Sequence, residues 1–202
     1  MSATEDAVGT ILVIQGHPDP GGGHLCHALA QAYADGARAG GHRVIVIDVA
    51  QLDFPLLRSQ ADFLGGMAPP ELAEARGALL EARHVAIFFP LWLGTLPALL
   101  KGFLEQILRP GFAYAYGAGG KGFPQPLLKG RTARIVVTMG MPALAFRLWF
   151  LSAGVAILKR NILGLVGIAP VRTSLVGGVE RLSEGARARW ISAMRALGAE
   201  GR

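Results

Sequence analysis

Thr10 to His27 reads TILVIQGHPDPGGGHLCH. The first six residues are a short apolar run rich in β-branched side chains, the composition of a strand. The last residues open a helical pattern that continues through Ala28, Leu29, Ala32 and Tyr33. The expected unit is strand, glycine-rich turn, helix. The first four N–H groups of a helix have no internal acceptor, and the helix dipole favours an anion there. Gly21, Gly22 and Gly23 carry no Cβ, so the main chain can approach an oxyanion closely. His17 and His24 can add side-chain donors. The segment reads as the phosphate site of a bound nucleotide.

Outward from this unit, apolar runs and helical patterns alternate. A helix is expected from about His24 to Ala39, ended by Gly40 and Gly41. His42 to Val49 reads as a second strand, followed by a loop with Pro55. Pro69-Pro70 opens a helix to about Ala82, since proline is tolerated in a first turn. Val85 to Phe89 (VAIFF) reads as a third strand buried on both faces. Pro97 to Leu108 is expected to be a helix, Arg109 to Arg131 irregular, and Arg134 to Thr138 a fourth strand. Phe146 to Asn161 is expected to be helical, Val171 to Val176 a fifth strand, and Ser183 to Leu197 a helix capped by Ser183. Such alternation predicts an α/β fold: a parallel sheet covered on both faces, with ligands at the carboxyl ends of the strands. The loops expected at that edge are Gly16–Gly23, Asp48–Leu57, Pro90–Leu96 and Gly140–Ala145. No repeat or linker divides residues 1–202, so one domain is expected.

Composition narrows the class. Apolar residues make up 51% and charged residues 17% of the 202, few enough charges that burial in a homo-oligomer is one way to hide the excess. The net charge of +6 is uneven: residues 1–108 carry −5 and residues 109–202 carry +11. A basic half suits an anionic cofactor, or less specifically nucleic acid or acidic lipid. The Arg181 to Arg195 stretch reads as a solvated basic helix face. One cysteine, Cys26, precludes an internal disulfide and fits a reducing cytoplasm. Met1 to Ala7 holds two acids and no base, unlike a secretory leader. Met139 to Leu158 is strongly apolar but interrupted by Gly140, Pro142, Arg147 and Gly154, so no membrane span is expected; peripheral contact stays open.

Several motifs are set aside. Gly117, Gly119 and Gly122 match GxGxxG, but FAYAY precedes them and Phe123-Pro124 follows, not the strand and helix that a dinucleotide fingerprint needs. Neither GxxxxGK[ST] nor GxSxG occurs. His17, His24 and His27 have only Asp19 and Cys26 nearby, so no metal is expected. Cys26 at a helix start could be reactive, or simply buried. Pro90 to Leu108 (PLWLGTLPALLKGFLEQIL) places a Gly94–Pro97 turn lined by Leu91, Trp92 and Leu93 at the same sheet edge as the phosphate loop, where it could face a planar ring.

Taken together, GHPDPGGGH, FFPLWLGTLPALLKGFLEQIL, GFAY (Gly111 to Tyr114) and VTMGMP (Val137 to Pro142) resemble the flavodoxin-like NAD(P)H:quinone oxidoreductases, including the short bacterial type that acts beside potassium efflux systems. The resemblance spans about Ile11 to Leu175. It implies a flavodoxin-like three-layer sandwich with a five-stranded parallel sheet of order 2-1-3-4-5 and a non-covalent flavin, FMN or FAD. By that resemblance His17, Gly23, His24 and Cys26 hold the flavin phosphate. Pro90, Leu91, Trp92, Leu93 and Gly94 line the isoalloxazine, and Thr138, Met139, Gly140 and Met141 close its other edge. Backbone amides of Leu91 to Gly94 and Thr138 to Met141 are the expected donors. A homodimer is implied, with Gly111 to Tyr116 helping to wall a shared pocket. The chain departs from the family at Trp92-Leu93, where relatives often carry Gln-Trp. It also departs at Phe146, which stands at the family's Tyr position near the flavin edge, and at Ser152 or Ala153, where the family has His.

The expected function is a cytoplasmic flavin-dependent oxidoreductase that passes hydride from NADPH or NADH to a quinone or similar acceptor, without nucleic acid as partner. Two alternatives stand beside it. One is a flavin-bound regulatory or interaction subunit, for example of a membrane transporter, with little turnover. The other is a doubly wound domain that binds a different phosphorylated ligand.

Overall fold

The computed structural model describes residues 8–65, 67–117 and 122–202. Five parallel strands build the sheet: β1 (Thr10–Gln15), β2 (Arg43–Asp48), β3 (His84–Pro90), β4 (Thr132–Thr138) and β5 (Val171–Val176). Their spatial order is 2-1-3-4-5, numbering only these five. Two further two-residue strands, Tyr114–Ala115 and Gln125–Pro126, pair antiparallel outside the sheet. In register, Val13 lies between Val46 and Ala86, and Phe88 faces Val136.

Side chains alternate across the strands, so each strand feeds two cores. Leu12, Ile14, Ile87, Phe89, Ile135 and Val137 pack on one face. That face is covered by α3 (Ala73–Glu81) and α4 (Ala98–Ile107), which contribute Leu79, Leu100 and Phe103. Ile11, Val13, Ala86, Phe88 and Val136 pack on the other. There α1 (Leu25–Ala39) contributes Leu29 and Tyr33, and α7 (Glu184–Ala199) contributes Met194. The result is the three-layer sandwich expected from the resemblance. Ser183 caps α7, its Oγ accepting from the Ala186 N–H at 3.3 Å.

Helices α1 and α7 touch main chain to main chain. A Cβ on Gly36 would lie 1.9 Å from the Arg195 carbonyl oxygen, one on Gly40 2.3 Å from that of Ala199, and one on Gly198 2.1 Å from that of Tyr33. Any side chain at these positions would force the two helices apart.

Three details differ from the sequence reading. A short helix, α2 (Gln60–Gly65), lies in the segment after β2. The irregular stretch after α4 contains the small antiparallel pair. The single helix expected over Phe146 to Asn161 is two: α5 (Ala143–Trp149) and α6 (Ala153–Ala156), which runs on through π-helical turns at Ile157–Leu163. Leu151 and Ser152, both at φ 51°, turn the chain between them. The cause is a contact: a Cβ on Gly154 would lie 2.1 Å from the Gly94 carbonyl oxygen, so α6 seats its glycine on the loop after β3. Among the described residues no helix is long and apolar enough to cross a membrane. Gly119 of the GxGxxG match and the Met1 to Ala7 segment lie outside the described residues.

A buried polar cluster sits at the amino ends of the strands. His84 is 3% exposed, with Nδ1 2.6 Å from Thr132 Oγ1 and its ring stacked on Tyr33. Burial, then the nearby Arg134, Arg172 and His42 charges, lower its pKa to about 4. In the unfolded chain the ring titrates near 6.5. The fold therefore holds His84 neutral, and its stabilising contribution is lost as pH falls from about 6.5 to about 4, on the order of 2–3 kcal/mol. We expect thermal midpoints to drop over that range, and to drop less steeply in His84→Gln. Equal slopes would place the acid sensitivity elsewhere.

Candidate functional site

The main cleft, about 610 Å³, opens at the carboxyl ends of β1, β3 and β4. A smaller pocket of about 110 Å³ between Phe63, Leu104 and Ile162 is mostly apolar, and Lys101 on its rim is paired with Glu105.

The phosphate loop is ordered by its own side chains. Gln15, buried at the end of β1, accepts from the His17 N–H at 2.9 Å and from Cys26 Sγ at 3.6 Å. His17 Nδ1 accepts from the Asp19 N–H at 3.1 Å. An accepting Nδ1 puts the proton of the neutral ring on Nε2. Burial first, then the charges of His24 and His27, lower the His17 pKa to about 4, so the ring is a neutral donor near pH 7. Asp19 Oδ1 accepts from the Gly21 N–H at 2.8 Å, and its Oδ2 lies 2.7 Å from His24 Nε2. The hydrogen bonds from His24 and then Gly21 hold the Asp19 carboxyl below its ordinary range. The His17 and His24 rings stack at 4.1 Å, and His27 lies 4.8 Å from His17. Among the described residues no group of three or more His, Cys, Asp or Glu is arranged to hold a metal.

Gly22 and Gly23 have φ of 71° and 79°, the left-handed region that favours glycine. Among the described residues, none accepts a hydrogen bond from the N–H groups of Gly22, Gly23, His24, Leu25 or Cys26. This run of free donors at the start of α1 suits an anion. No Lys or Arg is among the cleft-lining residues; its charged side chains are Asp19 and Glu180, with histidines between. The donors this cleft offers an anion are main-chain N–H groups and imidazole. Cys26 is buried, and burial pushes its thiol up to about 12, so it serves the loop as a packed side chain and not as a thiolate.

The ring half of the cleft is formed by Pro90, Leu91, Trp92, Thr138, Met139 and Gly140. The amide donors expected there are partly committed. Leu91 donates to the Thr138 carbonyl at 2.8 Å, Trp92 to that of Thr95 at 3.0 Å, and Met139 to that of Val176 at 2.9 Å. No such acceptor meets the N–H groups of Leu93, Gly94, Gly140 and Met141 among the described residues. The Trp92–Thr95 pair closes a tight turn, with Leu93 at φ 46° and its side chain in solvent, and Gly94 at φ 82°. Trp92 stands half-exposed at the rim, edge-on to His17.

Of the sequence-derived candidates, His17, His24, Cys26, Pro90, Leu91, Trp92, Thr138, Met139 and Gly140 converge on this cleft. Gly23, Leu93, Gly94 and Met141 lie in its loops without lining it. Phe146 requires correction. It is fully buried in the core, stacked on Phe150, and does not line the cleft. Its side chain packs in the core and does not reach the flavin-edge position that the resemblance implies. Ser152 opens into a separate cleft beside β5, and Ala153 lines neither cleft. Val179 and Glu180, after β5, were missed although that loop ends at the same sheet edge. The Asp48–Leu57 loop, expected there, supplies no cleft residue, because β2 is the sheet's outer strand. It braces the phosphate loop from outside, Gln51 Nε2 donating to the Pro20 carbonyl at 3.1 Å.

A crevice at the carboxyl edge of a doubly wound sheet, with a glycine turn entering the first helix, is the architecture of the doubly wound α/β class. A family model described as a flavodoxin-like fold matches residues 9–197, and the chain belongs to that family. It is 24% identical over 164 residues to an uncharacterized NAD(P)H oxidoreductase of Haemophilus influenzae, covering 79% of this chain and 80% of that one. It is 30% identical over 93 residues to FMN-dependent NADH:quinone oxidoreductase 1 of Colwellia psychrerythraea, covering 46% and 45%. The structure is similar to NAD(P)H:quinone oxidoreductase from Methanothermobacter marburgensis, with a TM-score of 0.76, 21% identity, and coverage of 96% and 98%.

The His17 geometry is checked by ¹⁵N chemical shifts. We expect the ring to stay neutral and protonated at Nε2 down to about pH 5, titrating near 4. A transition near 6.5 would mean a solvated ring that does not accept from Asp19.

Proposed function

We propose that this protein is a flavin-dependent NAD(P)H oxidoreductase that carries FMN and passes hydride from a nicotinamide to a quinone or similar acceptor in the cytoplasm. The observation that carries the reading is the run of free N–H groups from Gly22 to Cys26, opening into the same cleft as Leu91, Trp92 and Gly140. The fit is chemical on both sides. A phosphate needs several donors and close approach; a Cβ at Gly22 or Gly23 would meet nothing within 4 Å, so the space beside the loop is open. A flat ring needs apolar contact and a few polar groups at its edge.

When bound, the flavin supplies the hydride-accepting and electron-donating chemistry. The protein binds and orients it. Gly22–Cys26 N–H groups and His17 Nε2–H hold the phosphate. Leu91, Trp92 and Pro90 lie along the ring and exclude water from it. The N–H groups of Leu93, Gly94, Gly140 and Met141 are the donors free to meet its polar edge. The Colwellia relative's name includes FMN and NADH:quinone oxidoreduction, which supports the same assignment here.

A second reading, a flavin-bound regulatory subunit with little turnover, has one observation in its favour. The ring half of the cleft contains no Tyr, His or Lys among its described lining residues, and Phe146 is buried. Steady-state oxidation of NADPH with a soluble quinone separates the two: sustained turnover supports the oxidoreductase, and a yellow protein with none supports the subunit.

A homodimer belongs to the proposal. Leu148 and Trp149 are exposed on α5, on the side turned from Arg147, and a second copy would cover them. Light scattering is expected to give twice the 21.3 kDa of one chain.

The purified protein is expected to be yellow, with about one flavin per chain, FMN on release. Gly23→Asp sets a carboxylate beside the phosphate and a side chain where φ is 79°, so flavin affinity should fall at least about tenfold while folding is largely kept. Unchanged affinity would falsify the phosphate site.

A further inference from the structure

The excess of positive charge in residues 109–202 is not spread evenly. Arg147 on α5, and Lys159 and Arg160 in the π-helical turns after α6, line one cleft of about 420 Å³ beside β5. Ser152 and Thr173 add hydroxyls, and Val155 gives it an apolar wall. No carboxylate is among its described lining residues, and none of the three cations forms an ion pair among the described residues. Like charges converging on one concavity raise its potential and draw in anions. This is the reverse of the main cleft, whose charged side chains are carboxylates.

The cleft adjoins the ring loops on two sides. Ala143, on its rim, follows Met141 by two residues. Val155, in its wall, follows Gly154, the residue seated on the Gly94 carbonyl.

We propose that this cleft takes the phosphorylated adenosine end of NADPH, with the 2′-phosphate against Arg147, Lys159 and Arg160, and so selects NADPH over NADH. The proposal rests on the oxidoreductase reading of the main cleft. The two coenzymes differ only in that phosphate, so three unpaired cations without a carboxylate discriminate between them by charge. Guanidinium groups suit the task because they offer paired donors to phosphate oxygens.

The test compares wild type with an Arg147→Ala/Arg160→Ala double variant, and with Arg189→Ala on α7, outside the cleft, as a charge control. With saturating soluble quinone, the double variant should raise KM for NADPH about 2- to 30-fold, the range for two exposed charge contacts. Its kcat, its KM for NADH and the Arg189→Ala values should stay unchanged. Independently of turnover, calorimetry should show adenosine 2′,5′-bisphosphate binding more tightly than 5′-AMP, with the difference lost in the double variant. If both coenzymes are used equally well, or the double variant weakens both alike, the cleft assignment fails and the oxidoreductase reading stands. If bisphosphate binds but neither coenzyme is oxidised, the oxidoreductase reading fails and the adenosine-phosphate site stands. If bisphosphate does not bind, while phosphatidylglycerol vesicles capture wild type and release the double variant, the basic face meets an anionic membrane and the proposal is overturned.

Discussion

The contact between α1 and α7 is the constraint on which the rest depends. Gly36, Gly40 and Gly198 let the two helices meet at their main chains, closer than any side chain would permit. That contact fixes the axis of α1 over the sheet, and so fixes where its unpaired N–H groups point. The turn before it is then shaped from within. Asp19 gathers the Gly21 N–H and His24, and Gln15 gathers the His17 N–H and the Cys26 thiol. The main-chain donors beyond them are left free because the loop's own polar demands are met by these two side chains.

The main cleft and the cleft beside β5 differ in the chemistry they would offer an anion. The main cleft offers fixed dipoles and a neutral imidazole, groups that hold geometry and vary little with salt. The cleft beside β5 offers exposed cations that attract at a distance and are screened readily. A tightly held prosthetic group suits the first, and a co-substrate that must leave on every cycle suits the second.

Much of this was legible in the sequence, for physical reasons. Thr10–Gln15 matches its expected bounds because a buried parallel strand imposes an apolar β-branched run ended by a glycine turn, and Val171–Val176, the half-exposed edge strand, matches because Pro170 and Gly177 bracket it. The glycine-rich turn before α1 was legible because glycines cluster where the main chain takes the left-handed conformation seen at Gly22 and Gly23. What escaped depends on contacts between distant segments. The break at Leu151 and Ser152 follows from seating Gly154 on Gly94, sixty residues earlier, and no local pattern encodes it. Phe146 looked like a site position because alignment preserved its place in the chain, but helix α5 turns it into the core. Glu180 was missed because a lone carboxylate near the end of a strand carries no motif. The commitment of the Leu91, Trp92 and Met139 amides to Thr138, Thr95 and Val176 is likewise set by sheet pairing and turn closure, not by residue type.

The α1–α7 contact also has a temporal side. Its partners, Gly36 and Gly198, are separated by most of the chain, so loop closure across the whole sheet must precede it. Synthesis runs from α1 towards α7, so one face of α1 stays bare until Glu184–Ala199 arrive. The start of α1 therefore acquires its final support only when a segment from far along the chain has docked.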